Sequence, residues 1–184
     1  MACIGPMFDA GRRLPHRYPM SGSVSSSSDL NPVIHFRGGS MLTVRVMTIE
    51  DYDAVLDLMR QTPGVTVRDA DSREATGRYL ERNPGLSFVA VLDGAIVGCV
   101  MAGHDGRRGY LQHLVVLPAH RRKGIANQLV EHCLVGLEAL GIVKSHVDVL
   151  KTNDIAHAYW SGRGWGKRTD IDRYSFIRSG GSNA

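Results

Sequence analysis

The chain has 184 residues, which suits one domain better than two, and its 43% hydrophobic residues are enough for a core. It has no apolar run of about 18 residues, and its three cysteines are far apart, which argues against a spanning helix and against a disulfide-stapled secreted scaffold. The net charge of +4 is shared equally between residues 1–40 and the rest, so the nearly balanced main body argues against a dedicated nucleic-acid-binding protein. We therefore expect a cytoplasmic protein without a nucleic-acid or membrane partner and without a metal.

Residues 1–40 differ in composition from the rest of the chain. They contain four prolines, an arginine pair and a run of four serines, and they lack helical or strand periodicity. We expect a disordered leader here, followed by one domain over residues 41–184. An expression-vector sequence or mis-assigned start, a native tail and a targeting peptide all remain open as its origin.

The domain is predicted to begin with a strand and two helices. Alternation of apolar and polar residues indicates a strand over 42–46, and apolar residues at helical spacing indicate a helix over 49–60. Asp71 and Glu74 have the spacing of a capping box, which predicts that a second helix begins near residue 72 and ends near residue 82.

The central part of the chain is predicted to be an antiparallel meander. Two apolar runs, 86–92 and 95–103, flank the Asp93-Gly94 pair, a strong hairpin signal. A third strand follows over 110–117 and is ended by Pro118.

The last part alternates helices and strands, predicted over 124–140, 146–150, 154–163 and 173–178. Taken with the meander, this order indicates the α/β class: a mixed, mostly antiparallel sheet flanked by helices.

The segment between the strand 110–117 and the following helix carries the clearest chemical signal. A helix start presents unpaired N–H groups and partial positive charge, which together favour a phosphate ligand. Gly124 leaves room for a ligand to approach the backbone, and Arg121, Arg122 and Lys123 add positive charge. This arrangement predicts a pyrophosphate-binding loop, with a simple helix cap beside solvated basic residues as the alternative. The glycine patterns of P-loop and dinucleotide-binding proteins are absent.

Two motifs resemble those of the GNAT superfamily, the acetyl-CoA-dependent N-acetyltransferases. Residues 121–126 match the pattern Q/R-x-x-G-x-G/A, and Leu114 to Pro118 match the strand that precedes it. A second pattern, near the C-terminus, is matched by Asn153, Ala156, Tyr159, Trp160, Gly164 and Trp165. The resemblance covers residues 42–178.

The resemblance implies a splayed sheet, with acetyl-CoA in the gap between the strands predicted over 110–117 and 146–150. The backbone of one strand would pair with the pantetheine arm, while N–H groups of the loop would hold the pyrophosphate. The residues implied in binding acetyl-CoA are Leu114, Val115, Val116, Arg121, Arg122, Lys123, Gly124, Ile125, Ala126 and Asn153.

The family reaction is direct attack of an amine on the thioester, which needs a base, oxyanion donors and an acid for the leaving thiolate. The motif position that often holds the acid, a tyrosine, is Trp160 here, and an indole is no usable acid. Tyr159 lies about 100° further round the helix and is expected to face the core, while Trp160 would pack against the cofactor arm. Both residues are kept as catalytic candidates.

The base is equally open. Alternation places Tyr110, Gln112, Leu114 and Val116 on one strand face, where Gln112 could position a water molecule. His113 would face the opposite side unless a bulge shifts the register. The predicted loop with Arg68, Asp69 and Asp71 either contributes to the acceptor site or is solvated.

The sequence thus predicts an N-acetyltransferase that moves acetyl from acetyl-CoA to a primary amine of a small molecule. Two alternatives remain: acetylation of protein lysine or N-terminal amines, and a catalytically silent acyl-CoA-binding regulatory domain. A homodimer is left open.

Overall fold

The computed structural model describes residues 34–35 and 41–178. Its strands are β1 (Ile34–His35), β2 (Met41–Val46), β3 (Phe88–Leu92), β4 (Ala95–His104), β5 (Gly109–Val116) and β6 (Ser145–Val147). Its α-helices are α1 (Tyr52–Arg60), α2 (Arg73–Arg82), α3 (Ile125–Ala139) and α4 (Asp154–Gly162). The strands form one sheet in chain order.

Strands β1 to β5 pair antiparallel with their neighbours in the chain. The turn between β3 and β4 forms at Asp93 and Gly94, whose φ values of 49° and 84° are those that a tight hairpin requires. Strand β1 lies within residues 1–40, where a disordered leader is expected; the other residues of that range lie outside the described ones.

The sheet has helices on both faces. On one face, Leu42, Val44 and Leu111 pack with residues of α3 such as Leu129 and Leu137. On the other face, strand residues including Val89, Cys99, Met101 and Val115 pack with Val55, Leu58 and Met59 of α1. This arrangement agrees with the predicted α/β class.

The closing strand predicted over 173–178 does not form, so that prediction is wrong. The segment has no strand structure, and Tyr174 and Phe176 are 91% and 86% exposed. Alternating apolar residues stabilise a strand only where one face becomes buried, and here these side chains face solvent.

Strand β5 contains a bulge that changes which side chains share a face. Met101 pairs with Gln112 but Cys99 pairs with Val115, so β5 carries one residue more than β4 across this stretch. His113 in the bulge has a φ of +49°.

The predicted common face of Tyr110, Gln112, Leu114 and Val116 is therefore wrong. Leu114 and Val116 pack in the core on the α3 face, with Leu111. Gln112 pairs with Met101, whose side chain belongs to the core on the α1 face, so Gln112 lies on the opposite face from Leu114.

Candidate functional site

The start of α3 contains two residues with left-handed backbone. Arg122 has a φ of +62°, and Gly124, the N-cap of α3, has a φ of +80°. Such residues turn successive N–H groups toward one side and form an anion-binding concavity. A Cβ atom built on Gly124 meets nothing within 4 Å, so the space in front of the loop is open.

The N–H groups at this helix start are not capped by a side chain. Ser72 at the start of α2 and Asn153 at the start of α4 each accept a backbone hydrogen bond, but Gly124 has no side chain to do so. The first turns of α1, α2 and α4 each carry an acidic residue, whereas the first turn of α3 carries none. The donors and the positive end of α3 therefore remain available to an external anion.

The predicted phosphate-binding residues lie together around this helix start. Arg121 donates from Nε to the carbonyl oxygen of Val116 at 3.0 Å and so fastens the loop to the end of β5. Arg122 and Lys123 are exposed beside the open space, and Ile125 is buried in the core beneath it. The loop thus combines fixed backbone donors with positive charge on long, exposed side chains.

The sheet separates beside this loop. Strand β6 runs parallel to β5 and pairs with it only at Gly109, Tyr110 and Leu111. Leu114, Val115 and Val116 lie beyond that pairing, on the stretch of β5 that leads to the loop. The backbone edge predicted to receive the pantetheine arm is therefore not paired with β6 in the described part of the chain.

The two aromatic candidates in α4 have different surroundings. Trp160 is only 7% exposed and packs against the rings of Tyr159 and Trp165, with centroids 5.1 and 4.6 Å apart. The Tyr159 ring packs against the core as expected, but its hydroxyl donates to Asn127 Oδ1, in the first turn of α3, at 3.2 Å. Burial raises the pKa of Tyr159 above its ordinary value, so the phenol keeps its proton at neutral pH.

Asn153 serves the local helix structure. Its side-chain oxygen accepts from the N–H of Ala156 at 3.0 Å and caps α4. A role in binding acetyl-CoA stays a prediction.

Asp71 does not cap α2, so that prediction is wrong. Ser72 caps the helix by accepting from the N–H of Ala75 at 3.3 Å. Asp71 lies one residue earlier and reaches across to the sheet, where its Oδ1 is 2.8 Å from Nε2 of His113. The Tyr52 hydroxyl donates to the Asp71 carbonyl oxygen at 3.0 Å and fixes the same loop to α1.

Other chemically reactive groups have structural roles. His104 accepts from the N–H of Gly106, and Asp105 accepts from two N–H groups of the same turn. Burial raises the pKa of the Cys99 and Cys133 thiols to about 12, so both remain neutral.

Among the described residues, no group of three or more His, Cys, Asp or Glu side chains could hold a metal ion, and no helix could cross a membrane.

Comparison with known proteins agrees with this geometry. The sequence profile of the acetyltransferase (GNAT) family matches residues 52–165. An acetyltransferase of Pectobacterium atrosepticum is 35% identical over 113 residues, which cover 61% of this chain and 79% of that protein. An acetyltransferase of Yersinia pestis is 33% identical with the same coverage. The chain belongs to the GNAT acetyltransferase family.

Solved structures share the fold. The aminoglycoside N-acetyltransferase AAC(6')-Iy, in complex with CoA, has a TM-score of 0.61 and 23% identity, covering 75% of this chain and 96% of that one. Diaminobutyrate acetyltransferase from Paenibacillus lautus, with its substrate and coenzyme A, has a TM-score of 0.59 and 22% identity, covering 68% and 75%. The predicted superfamily, fold class and enzyme class, an N-acetyltransferase, are confirmed.

Proposed function

We propose that this GNAT acetyltransferase transfers the acetyl group of acetyl-CoA to a primary amine of a small molecule. The uncapped start of α3, beside a stretch of β5 that does not pair with β6, carries the proposal. A diphosphate needs converging N–H donors, and the amides of a pantetheine arm need a free strand edge. Both requirements meet within residues 114–126.

Each group of donors has a separate task in this proposal. The N–H groups of Arg122 to Ala126 bind the diphosphate, and Lys123 contributes charge at the rim. The backbone of Leu114 to Val116 orients the arm so that the thioester lies beside the bulge of β5.

Tyr159 is the residue that we propose as the acid for the leaving thiolate. Its hydroxyl is held near the first turn of α3 and remains protonated at neutral pH. Trp160 then acts by packing rather than by chemistry. Gln112, on the face of the sheet that carries α1, orients a water molecule or the acceptor. The match to the acetyltransferase family and to acetyltransferase relatives favours an enzyme over a silent acyl-CoA-binding domain.

The choice of a small-molecule acceptor is supported by two of the solved structures that share the fold, an aminoglycoside N-acetyltransferase and a diaminobutyrate acetyltransferase. A third is a ribosomal-protein-S18-alanine N-acetyltransferase from Escherichia coli, which keeps protein amines as the alternative. We also propose a cytoplasmic location, which fits the free thiols of Cys99 and Cys133, and a homodimer, which light scattering would test.

The proposal is tested in two steps with the full chain. Calorimetric titration with acetyl-CoA and with its 3′-dephospho form should give micromolar binding of acetyl-CoA; absence of heat with both would refute the acetyl-CoA site. Release of the CoA thiol is then measured with diamino acids, polyamines and aminoglycosides, and with peptides that offer an N-terminal or a lysine amine. Turnover of small amines supports the proposal, whereas turnover of peptides alone replaces it with the protein-amine alternative.

A further inference from the structure

We propose that His113 is a catalytic residue that takes the proton from the ammonium group of the acceptor, and that Asp71 is the positioning residue of its ring. The inference rests on the proposed N-acetylation and names the base for it. A primary amine is mainly protonated at neutral pH and must lose a proton before it can attack a thioester.

The bulge of β5 brings His113 to the place where such a base is needed. The extra residue turns the His113 side chain to the face of the sheet that carries α1, as its contact with Asp71 demonstrates. Leu114 follows directly on the strand edge proposed to hold the acetyl donor. A φ of +49° is uncommon for a residue other than glycine, and residues in such conformations cluster at functional sites.

Asp71 decides which nitrogen of His113 is basic. A carboxylate only accepts hydrogen bonds, so its contact with Nε2 requires the hydrogen of the neutral ring to be on Nε2. The other oxygen of Asp71 is occupied by the N–H of Arg68 at 2.7 Å, which fixes the carboxylate. Nδ1 of His113 therefore carries the free lone pair.

The pair is largely shielded from solvent but not fully buried. The His113 and Asp71 side chains are 19% and 13% exposed. The groups that hydrogen-bond to the two residues are the Tyr52 hydroxyl of α1, the backbone N–H of Arg68 and the Cys99 thiol of β4. Cys99 donates from Sγ to the His113 carbonyl oxygen, and its pKa of about 12 keeps it neutral.

The proposed step conserves atoms and charge. One proton passes from the ammonium nitrogen to Nδ1 of His113, directly or through one water molecule. The freed amine attacks the thioester carbon, so that a C–N bond forms and the C–S bond breaks. Tyr159 donates its phenolic proton to the leaving thiolate. The second proton of the nitrogen passes through solvent to the Tyr159 phenolate and restores the phenol, and His113 returns its own proton to solvent.

Kinetics of the full chain test this role against a structural one. With a small amine that the wild-type protein acetylates, His113→Gln should lower kcat/KM about 100-fold or more at pH 7. The loss in kcat/KM should shrink as the pH approaches the pKa of the amine, because the deprotonated amine needs no base to remove its proton. Asp71→Asn should lower kcat about 10-fold and displace the acidic limb of the pH profile, while the control His132→Gln, two turns into α3, should retain the wild-type profile. A loss for His113→Gln that is constant with pH, or no loss, would overturn the proposal.

A second measurement does not depend on finding the acceptor. Nitrogen-15 NMR of the histidine rings, with His113→Gln to assign the signal, should find neutral His113 with its hydrogen on Nε2, and Asp71→Asn should reduce that preference. A hydrogen on Nδ1, or a ring still protonated at pH 8, would refute the base. A wild-type protein that binds acetyl-CoA but acetylates no amine contradicts the proposed function instead, so the two failures are distinguishable.

Discussion

Gly124→Trp should abolish acetyl-CoA binding while leaving the protein folded. The new side chain would project into the open space in front of the helix start, where a Cβ meets nothing within 4 Å. It would cover N–H donors that we assign to the diphosphate. Hydrogen bonds to charged groups contribute about 1.5–3 kcal/mol each, so losing two weakens binding by about 3–6 kcal/mol, or at least about 100-fold.

Gly141→Trp is the matched control for this substitution. Gly141 follows the opposite end of α3, has a similar φ of +76°, and likewise has nothing within 4 Å of a built Cβ. Both variants should lose about 1–2 kcal/mol of stability, since a residue other than glycine is strained in the left-handed region. That loss corresponds to a fall in Tm of about 2–8 °C for a chain of this size.

The assay pairs calorimetric titration with thermal unfolding of all three proteins. We expect similar losses in Tm for the two variants, with binding lost only in Gly124→Trp. If Gly124→Trp is folded and keeps wild-type affinity, the diphosphate does not bind at the start of α3. If Gly141→Trp loses affinity equally, the effect comes from strain in the helix rather than from the site.

Two further substitutions test the acid and the packing. Tyr159→Phe should lower kcat about 10- to 100-fold with unchanged affinity for acetyl-CoA, because only the proton donor is lost. Trp160→Phe should keep kcat and lower the free energy of unfolding by about 1–2 kcal/mol. Steady-state kinetics and urea unfolding distinguish the two. Asp51→Asn should cost about 2 kcal/mol at pH 7, because Asp51 accepts two hydrogen bonds of 2.7 Å from Arg45, which hold the pKa of the carboxyl below its usual value. Because the pKa of Asp51 is lowered in the folded protein, the ion pair stabilises the fold above the ordinary pKa near 4, and this stabilisation is lost as the pH falls through the lowered pKa. The urea midpoints of wild type and variant should therefore converge in acid. A constant difference between them would contradict the role of the ion pair.

Features encoded by neighbouring residues were predictable from the sequence. The hairpin at Asp93-Gly94 depends on two residues that favour left-handed backbone, and the structure has both in that region. The loop and helix start at residues 121–126 are contiguous, so their glycine and basic residues could be recognised as one unit. The first turn of α3 forms where that pattern places it.

Features that depend on long-range pairing were not predictable in the same way. His113 and Asp71 are 42 positions apart, and they meet only because β5 contains a bulge that alternation of side chains does not reveal. Asp71 also has a plausible local role as a cap, which Ser72 fulfils instead. Helical spacing indicates where the Tyr159 ring packs, whereas the position of its hydroxyl depends on Asn127 in a distant part of the sequence.

The short pairing between β5 and β6 has a consequence for the protein without its acetyl donor. Backbone groups beyond Leu111 lack a β6 partner, and an unpaired strand edge is a template for association with another chain. A bound donor would complete this part of the sheet, so the ligand would also act as a building element of the fold. At a concentration 100 times its Kd, a ligand adds about 2.7 kcal/mol to the free energy of unfolding. The concentration of acetyl-CoA would then determine how long the enzyme remains folded as well as the rate at which it transfers acetyl groups.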